Sequence, residues 1–528
     1  MREYVVKTMG SIKKYPVVII GIVAIIAVFS LTLFKKEKEI DFKQVITEVN
    51  QQRKNILESE SKNDIEQYMY KVAGDKDGFT DEEIETLLQP REVKQGTISK
   101  QDALEDTEYL FKILRYVYGG YGYYGGDEVF DQVKKQVIND INTKEKLTVK
   151  DLNIIFAEKL SFITDGHMTI GRMNINRKHI QNYYCNQQIE IKKNNTGFYY
   201  IVDNKKRYIK SINSDNEVQR YLKISINESG ELVHYIGLLR KEQNENIWIS
   251  IEYEVDSEIK KDEIKLSKVP QKVHENLTAF EEKTIEGIPV LTCRKLDDKG
   301  EENTLKYFAE SGSKLKNEKV FIIDLRGNGG GSDIWCSFWY ENYTGTTPQT
   351  GKTGMKKYSK LYLYKQKSIQ DINMEPFLQK YNMPRLKEEV EKYFESKNES
   401  LKKQVYDTWE IEENESKWVD NENTIFVLID KGVASSAEGF VEQLRTLDNV
   451  MFVGSNTMGA TDISDEQRMY LPNSNLFVYL GVGLDMNKYP PHFIDGKGFE
   501  PDIWLNNEGM LERVIKLCNQ YNLINKID

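Results

Sequence analysis

Two segments about a hundred residues apart constrain this chain more than any others. Val320-Phe321-Ile322-Ile323-Asp324-Leu325-Arg326-Gly327-Asn328-Gly329-Gly330-Gly331-Ser332 is an apolar run that stops at a glycine-rich turn. Thr424-Ile425-Phe426-Val427-Leu428-Ile429-Asp430 is a second, followed by Gly432-Val433-Ala434-Ser435-Ser436-Ala437-Glu438-Gly439. Each reads as strand, turn and helix start, the local signature of an α/β unit. The first turn offers backbone N–H groups unobstructed by side chains. The second sets a serine at a helix start, where free amides and the helix dipole favour developing negative charge. An anion-binding turn beside a nucleophile suggests acyl-transfer chemistry.

The alternation extends over 286–528. Strands are expected over Gly287–Leu296, Val320–Leu325, Thr424–Ile429 and Val450–Val453. Helices are expected over Thr304–Leu315, Ser332–Tyr343 and Ser435–Leu447, giving a substantially parallel sheet. Residues 365–418 form an insertion of mainly helical character placed where it could overhang the site. Upstream, 96–175 reads as a helical subdomain, with helices at Asp102–Tyr118, Asp127–Ile141 and Thr148–Leu160. Residues 176–285 switch to β-type alternation. Residues 36–95 read as a charged helical stalk, in which Thr80-x-x-Glu83 is a capping box.

At 528 residues the chain exceeds one ordinary core. The net charge of −10 and the lack of a basic stripe argue against nucleic acid as partner. Cys185, Cys293, Cys336 and Cys518 are scattered, with neither metal-ligand spacing nor a disulfide framework. Val17 to Phe34 is apolar except for Gly21, Ser30 and Thr32, and as a helix it spans roughly 27 Å, a bilayer core. It predicts a single membrane anchor over 16–35, after a cytoplasmic tail at 1–15. Lysines flank both ends, and the large following domain suggests an extracytoplasmic body at the cell membrane. A cleaved signal peptide is the rival.

Taken alone, Ser435-x-x-Glu438 is equally a helix capping box. The glycine run could be read as a dinucleotide fingerprint, but Ser332 occupies the third glycine position and no phosphate-loop lysine follows.

The two segments resemble the C-terminal-processing and tricorn-core serine peptidases. There, Asp-Leu-Arg-x-Asn-x-Gly-Gly precedes the oxyanion glycine and Ala-Ser-x-x-Glu carries the nucleophile; here these are Asp324 to Gly331 and Ala434 to Glu438. The resemblance implies a crotonase-like or ClpP-like catalytic core. It places the nucleophile at Ser435 with Glu438 supporting it, and the oxyanion donors at Ser436 and one amide of Gly329–Gly331, taken as Gly330. The processing branch takes its base from a lysine in a turn here read as Val453-Gly454-Ser455-Asn456-Thr457-Met458-Gly459-Ala460. Ala460 stands at the lysine position and accepts no proton. The tricorn-like branch uses a histidine in an Asp-Gly-His motif, matched by Asp165-Gly166-His167, although Gly166 stands where tricorn has serine. Imidazole suits a general base near neutral pH. The orienting acid of that branch falls at Asp495 in Asp495-Gly496-Lys497-Gly498-Phe499-Glu500-Pro501-Asp502, with Glu500 and Asp502 as alternatives. His492 reads as loop structure.

The expectation is thus a membrane-anchored serine peptidase using Ser435, His167 and Asp495 on protein or peptide substrates. It implies no metal and no organic cofactor, and leaves the oligomeric state open. The β-type stretch at Tyr208 to Asn213 resembles, distantly, the peptide-binding modules inserted in this family. An inactive peptide- or protein-binding relative is the alternative.

Overall fold

The computed structural model describes residues 40–59, 64–71, 78–241, 243–271, 278–297, 303–371, 378–380, 383–488 and 493–524. The expected anchor Val17–Phe34 and His492 lie outside these residues. No helix among the described residues is long and apolar enough to cross a membrane.

Along the chain come helices α1 (Phe42–Leu57), α2 (Asp81–Leu88), α3 (Lys100–Val117), α4 (Gly126–Thr143) and α5 (Val149–Lys159). Short strands β1 (Thr169–Ile170) and β2 (Met173–Asn174) lead into β3 (Asn182–Asn194), β4 (Gly197–Val202), β5 (Lys205–Ile212), β6 (Leu222–Ile226), β7 (Leu232–Arg240), β8 (Asn246–Val255) and β9 (Glu258–Lys268). The α/β region holds β10 (Phe280–Ile285), β11 (Ile288–Cys293), α6 (Thr304–Lys314), β12 (Val320–Asp324), α7 (Ile334–Thr344) and β13 (Thr353–Tyr358). It continues through α8 (Lys360–Ile369), α9 (Pro384–Lys403), β14 (Thr408–Glu413), β15 (Thr424–Ile429), α10 (Ser436–Leu444) and β16 (Val450–Gly454). The chain closes with β17 (Ile463–Tyr470), β18 (Phe477–Met486), β19 (Ile503–Trp504) and α11 (Met510–Gln520).

One six-stranded sheet runs β10-β11-β12-β15-β16-β19, parallel from β11 onward, with β10 antiparallel at the edge. Its strands are apolar at successive positions because both faces are covered. Phe321, Ile323, Ile425 and Val427 pack under α6, α7 and α10, whereas Val320, Ile322, Phe426 and Leu428 pack under α1 and α11. A second sheet, β14-β13-β18-β1-β2, carries β17 on the other side of β18 and packs against α2 to α5. The expected β-rich segment is a seven-stranded antiparallel sheet, β4-β5-β8-β9-β3-β7-β6, whose β4 also pairs with β3, so the strand order returns on itself. No α-helix falls among its described residues.

One expectation needs correction. The segment read as a stalk begins with α1, which is docked on the parallel sheet. Phe42 is buried and stacks on Phe426 with ring centroids 5.6 Å apart. Arg53 is fully buried, donates to the Val450 carbonyl at 2.8 Å and ion-pairs with Asp502. Its charge masks a core position because the partner carboxylate comes from the far end of the chain. The inserted segment is helical in α8 and α9 but returns as β14, which extends the second sheet by pairing with β13.

Candidate active site

The glycine turn is held from below by a buried charge cluster. Asp324, at the end of β12, accepts from Arg326 Nε at 2.8 Å and Nη2 at 2.7 Å, and from Arg294 Nη1 at 3.0 Å and Nη2 at 2.8 Å. Burial would raise its pKa, but the two guanidinium groups hold the carboxylate well below the usual range. Asp430, at the end of β15, accepts from the Gly327 and Gly432 N–H groups at 2.8 and 2.9 Å, tying the two turns together. Gly330 has φ +94°, and a Cβ there would lie 2.9 Å from Ser435 Cβ and 3.0 Å from Ser436 N. The turn therefore lies directly against the serine. The Gly330 N–H is donated to Asn328 Oδ1 at 2.9 Å, so it is already partnered in this geometry. Ser436 N opens α10, where backbone N–H groups lack helical acceptors, while its hydroxyl donates to the Gly331 carbonyl at 2.8 Å.

Ser435 takes φ +55° and ψ −129° between β15 and α10, a strained conformation for a residue with a Cβ. Its N–H donates to Glu438 Oε2 at 3.3 Å, so Glu438 returns the bond of a capping box and also braces the serine turn. The same carboxylate accepts from Thr457 Oγ1 at 2.5 Å and from the Gly459 and Ala460 N–H groups, each at 2.8 Å. Its pKa is raised by burial against these donors. Lys431 braces the same loops from beneath, donating to the Thr457 and Met458 carbonyls at 2.9 and 3.0 Å. Burial brings its pKa down to about 7, with Glu438 opposing.

His167 is delivered by the loop before β1. Asp165 Oδ1 accepts from the His167 and Met168 N–H groups at 2.7 and 3.2 Å, and Tyr118 donates to Asp165 Oδ2 at 3.0 Å. A Cβ on Gly166 would lie 2.5 Å from Ala460 Cβ and 2.7 Å from the Gly459 carbonyl oxygen, so no serine fits there. The position that lacks a lysine thus seats the histidine loop. The imidazole is largely buried, with 14% of its side chain exposed, and neither ring nitrogen makes a hydrogen bond; Ser435 Oγ is therefore not bonded to it.

Asp495 does not meet the ring. Its Oδ2 accepts from Gly166 N–H at 2.9 Å, and its Oδ1 from Thr461 and Asp462 N–H groups at 2.9 and 3.0 Å. Burial first, then Asp165, pushes it up to about 6. The carboxylate facing His167 Nδ1 is Glu466 of β17, with Oε1 at 3.2 Å. Burial lowers the imidazole pKa, but Glu466, then Asp165, Asp495 and Glu438, raise it above its ordinary value. The alternatives to Asp495 lie elsewhere: Glu500 pairs with Lys497 at 2.7 Å, and Asp502 holds Arg53. Glu466 lies within an alternating strand and no local sequence signal singles it out; the Asp165 turn was legible in Thr164-Asp165-Gly166.

Among the described residues no cluster of three His, Cys, Asp or Glu side chains is placed to hold a metal ion. An open cavity of about 890 Å³ lies between β10, β11 and α11, lined by Lys283, Thr292, Arg294, Arg326 and Met510, and includes neither Ser435 nor His167.

Residues 277–505 match the sequence model of peptidase family S41. No match to a curated protein accompanies it. Among solved structures the chain is similar to mature CPAF, at 13% identity over 81% of this chain and 99% of that one, with a TM-score of 0.44. It is similar to the photosystem II D1 C-terminal processing protease at 12% identity over 79% and 97%, TM-score 0.32. It is also similar to the tricorn protease at 13% identity over 80% and 37%, TM-score 0.33. Likenesses this distant carry no assignment, whereas the family match spans the glycine turn, the Ser435 turn, Glu466 and Asp495. The S41 match thus covers residues 277–505, less than half of the chain, and marks that region as a serine-type peptidase domain.

Proposed function

We propose that the chain is a membrane-anchored, extracytoplasmic peptidase that cleaves unstructured protein or peptide substrates with Ser435 as nucleophile and His167 as general base. The strained turn at Ser435, with Gly330 packed behind its Cβ and Ser436 N at the helix start, is the observation that carries this. His167 takes the hydroxyl proton as Ser435 Oγ attacks the substrate carbonyl. The oxyanion is held by the Ser436 N–H and by an amide of the Gly329–Gly331 turn; Gly330 serves if its N–H is shared with Asn328 Oδ1. His167 then protonates the leaving amine, and water, deprotonated by the same imidazole, releases the acyl group. Asp495 acts as an anchor of the His167 loop. The anchor in the membrane is supported by the sequence Val17–Phe34 alone.

A fluorophosphonate probe tests the reading. Label should map to Ser435 and vanish in Ser435→Ala, and His167→Ala should slow both labelling and hydrolysis. A folded protein that takes no label yet binds unstructured peptide would replace catalysis with a binding role.

A further inference from the structure

We infer that Glu466 is the positioning carboxylate for His167, and that the helical insertion α8–α9 holds it in place through Asp465. The inference rests on His167 being the base.

Glu466 reaches His167 across β18. It pairs with Gly481, while Thr169, two residues after His167, pairs with Tyr479, two residues before Gly481. A residue without a side chain therefore lies between base and acid. A Cβ on Gly481 would come within 2.5 Å of the Ser464 carbonyl oxygen, so β17 approaches this closely only because the position is glycine. Asp495 makes no ion pair or hydrogen bond with the ring, and both its oxygens are engaged by backbone N–H groups.

Immediately before Glu466, Asp465 takes φ +60° in mid-strand, flanked by the regular pairs Ser464 with Gly483 and Glu466 with Gly481. Such a residue breaks the alternation of a strand and decides where the next side chain points. It persists only where its surroundings over-determine it. Here they come from the insertion. Tyr362 of α8 donates to Asp465 Oδ2 at 2.5 Å, and Tyr393 of α9 lies 3.2 Å from both carboxylate oxygens. Gln467 Nε2 adds contacts to the Asp465 carbonyl at 3.2 Å and Oδ1 at 3.3 Å. Lys397 fixes Tyr393 in turn, with its ammonium 3.7 Å from the ring centroid and donating to the Tyr393 carbonyl at 3.0 Å. The insertion thus grips the strand that carries the acid.

The charged groups facing His167 are Glu466 from β17, Asp165 from its own loop, Asp495 from the C-terminal turn and Glu438 from α10; Tyr479 on β18 faces Glu466. Removing the Glu466 charge leaves the imidazolium less stabilised, so the base titrates at lower pH.

The test is the pH profile of kcat/KM of the full chain on an unstructured peptide. Glu466→Gln should shift the acid limb to lower pH and cut kcat by about tenfold or more, with KM little changed. The Tyr362→Phe/Tyr393→Phe double variant removes only two hydroxyls and keeps the ring packing. It should shift the limb the same way, as should Asp465→Val, which resists positive φ. Asp465→Asn tolerates positive φ and still accepts from both tyrosines, so it should keep the parental profile. A parental limb and kcat in Glu466→Gln would overturn the role of Glu466. Parental profiles in both the double variant and Asp465→Val would overturn the link to the insertion. Parental turnover in His167→Ala would instead remove the underlying assignment of the base.

Discussion

At the residue scale, Ser435 holds a backbone conformation that costs on the order of 1–3 kcal/mol for a residue with a Cβ. Strain of this kind is stored where function needs it. Ser435→Gly should accordingly stabilise the fold by about 1 kcal/mol while abolishing hydrolysis, measured by denaturant unfolding and peptide turnover. An unchanged or lowered stability would deny the strain. His167→Ala should lower kcat by about 10²–10⁴-fold, the usual scale for a general base. Gly330→Ala meets both a left-handed φ and a clash with Ser435 Cβ. It should lower stability by about 1–3 kcal/mol in chemical denaturation as well as abolish turnover.

At the element scale, α1 belongs to the catalytic body. The ion pair of Arg53 with Asp502 is buried, and Asp502 also accepts from Phe452 N–H at 2.7 Å. Removing one partner leaves an uncompensated charge in the core, so Arg53→Ala should destabilise by about 3–5 kcal/mol in chemical denaturation. A detached stalk would predict no change. Read from composition, the segment looked solvated because its buried face includes Asn50 and Arg53 among Phe42, Val45 and Ile46. Both polar residues find acceptors on β16, through the Val450 carbonyl. Similarly, the strand character of β14 was hidden because it arises from pairing with β13, not from an apolar alternation of its own.

At the scale of the whole molecule, the site is framed by buried carboxylates whose pKa values are raised chiefly by burial: Asp165, Asp462, Asp495 and Glu438. A carboxyl group that binds its proton more tightly in the folded state contributes stability below its unfolded pKa, and loses it as pH rises through the folded value. For Asp495, pushed up to about 6, that window runs from about 4 to about 6. His234 pulls the other way, held down to about 4 by burial and then by Lys193. The comparison of Asp495→Asn with the parent isolates the single group. The unfolding free energy of the variant relative to the parent should rise across that window, measured by denaturant titration at several pH values. A flat difference would show that Asp495 titrates normally. For the anchor, protease added to intact cells should digest the domain beyond Lys36, and protection until lysis would reverse the proposed orientation.

The sequence by itself determined the parallel strands β12 and β15, the turns that end them, and the helices that follow. Those features are written locally, in apolar runs, glycines and helix caps within a few residues of each other. The Asp165-Gly166-His167 turn was legible for the same reason. Only the tertiary structure decided that α1 packs on the sheet, that Asp495 grips backbone amides, and that Glu466 faces His167. These contacts join segments distant in sequence across β18 and the parallel sheet, and a carboxylate in an alternating strand carries no mark of which partner will meet it. The same physics gives Gly166 its place. Its missing side chain is explained by Ala460, a residue that no local pattern connects to it.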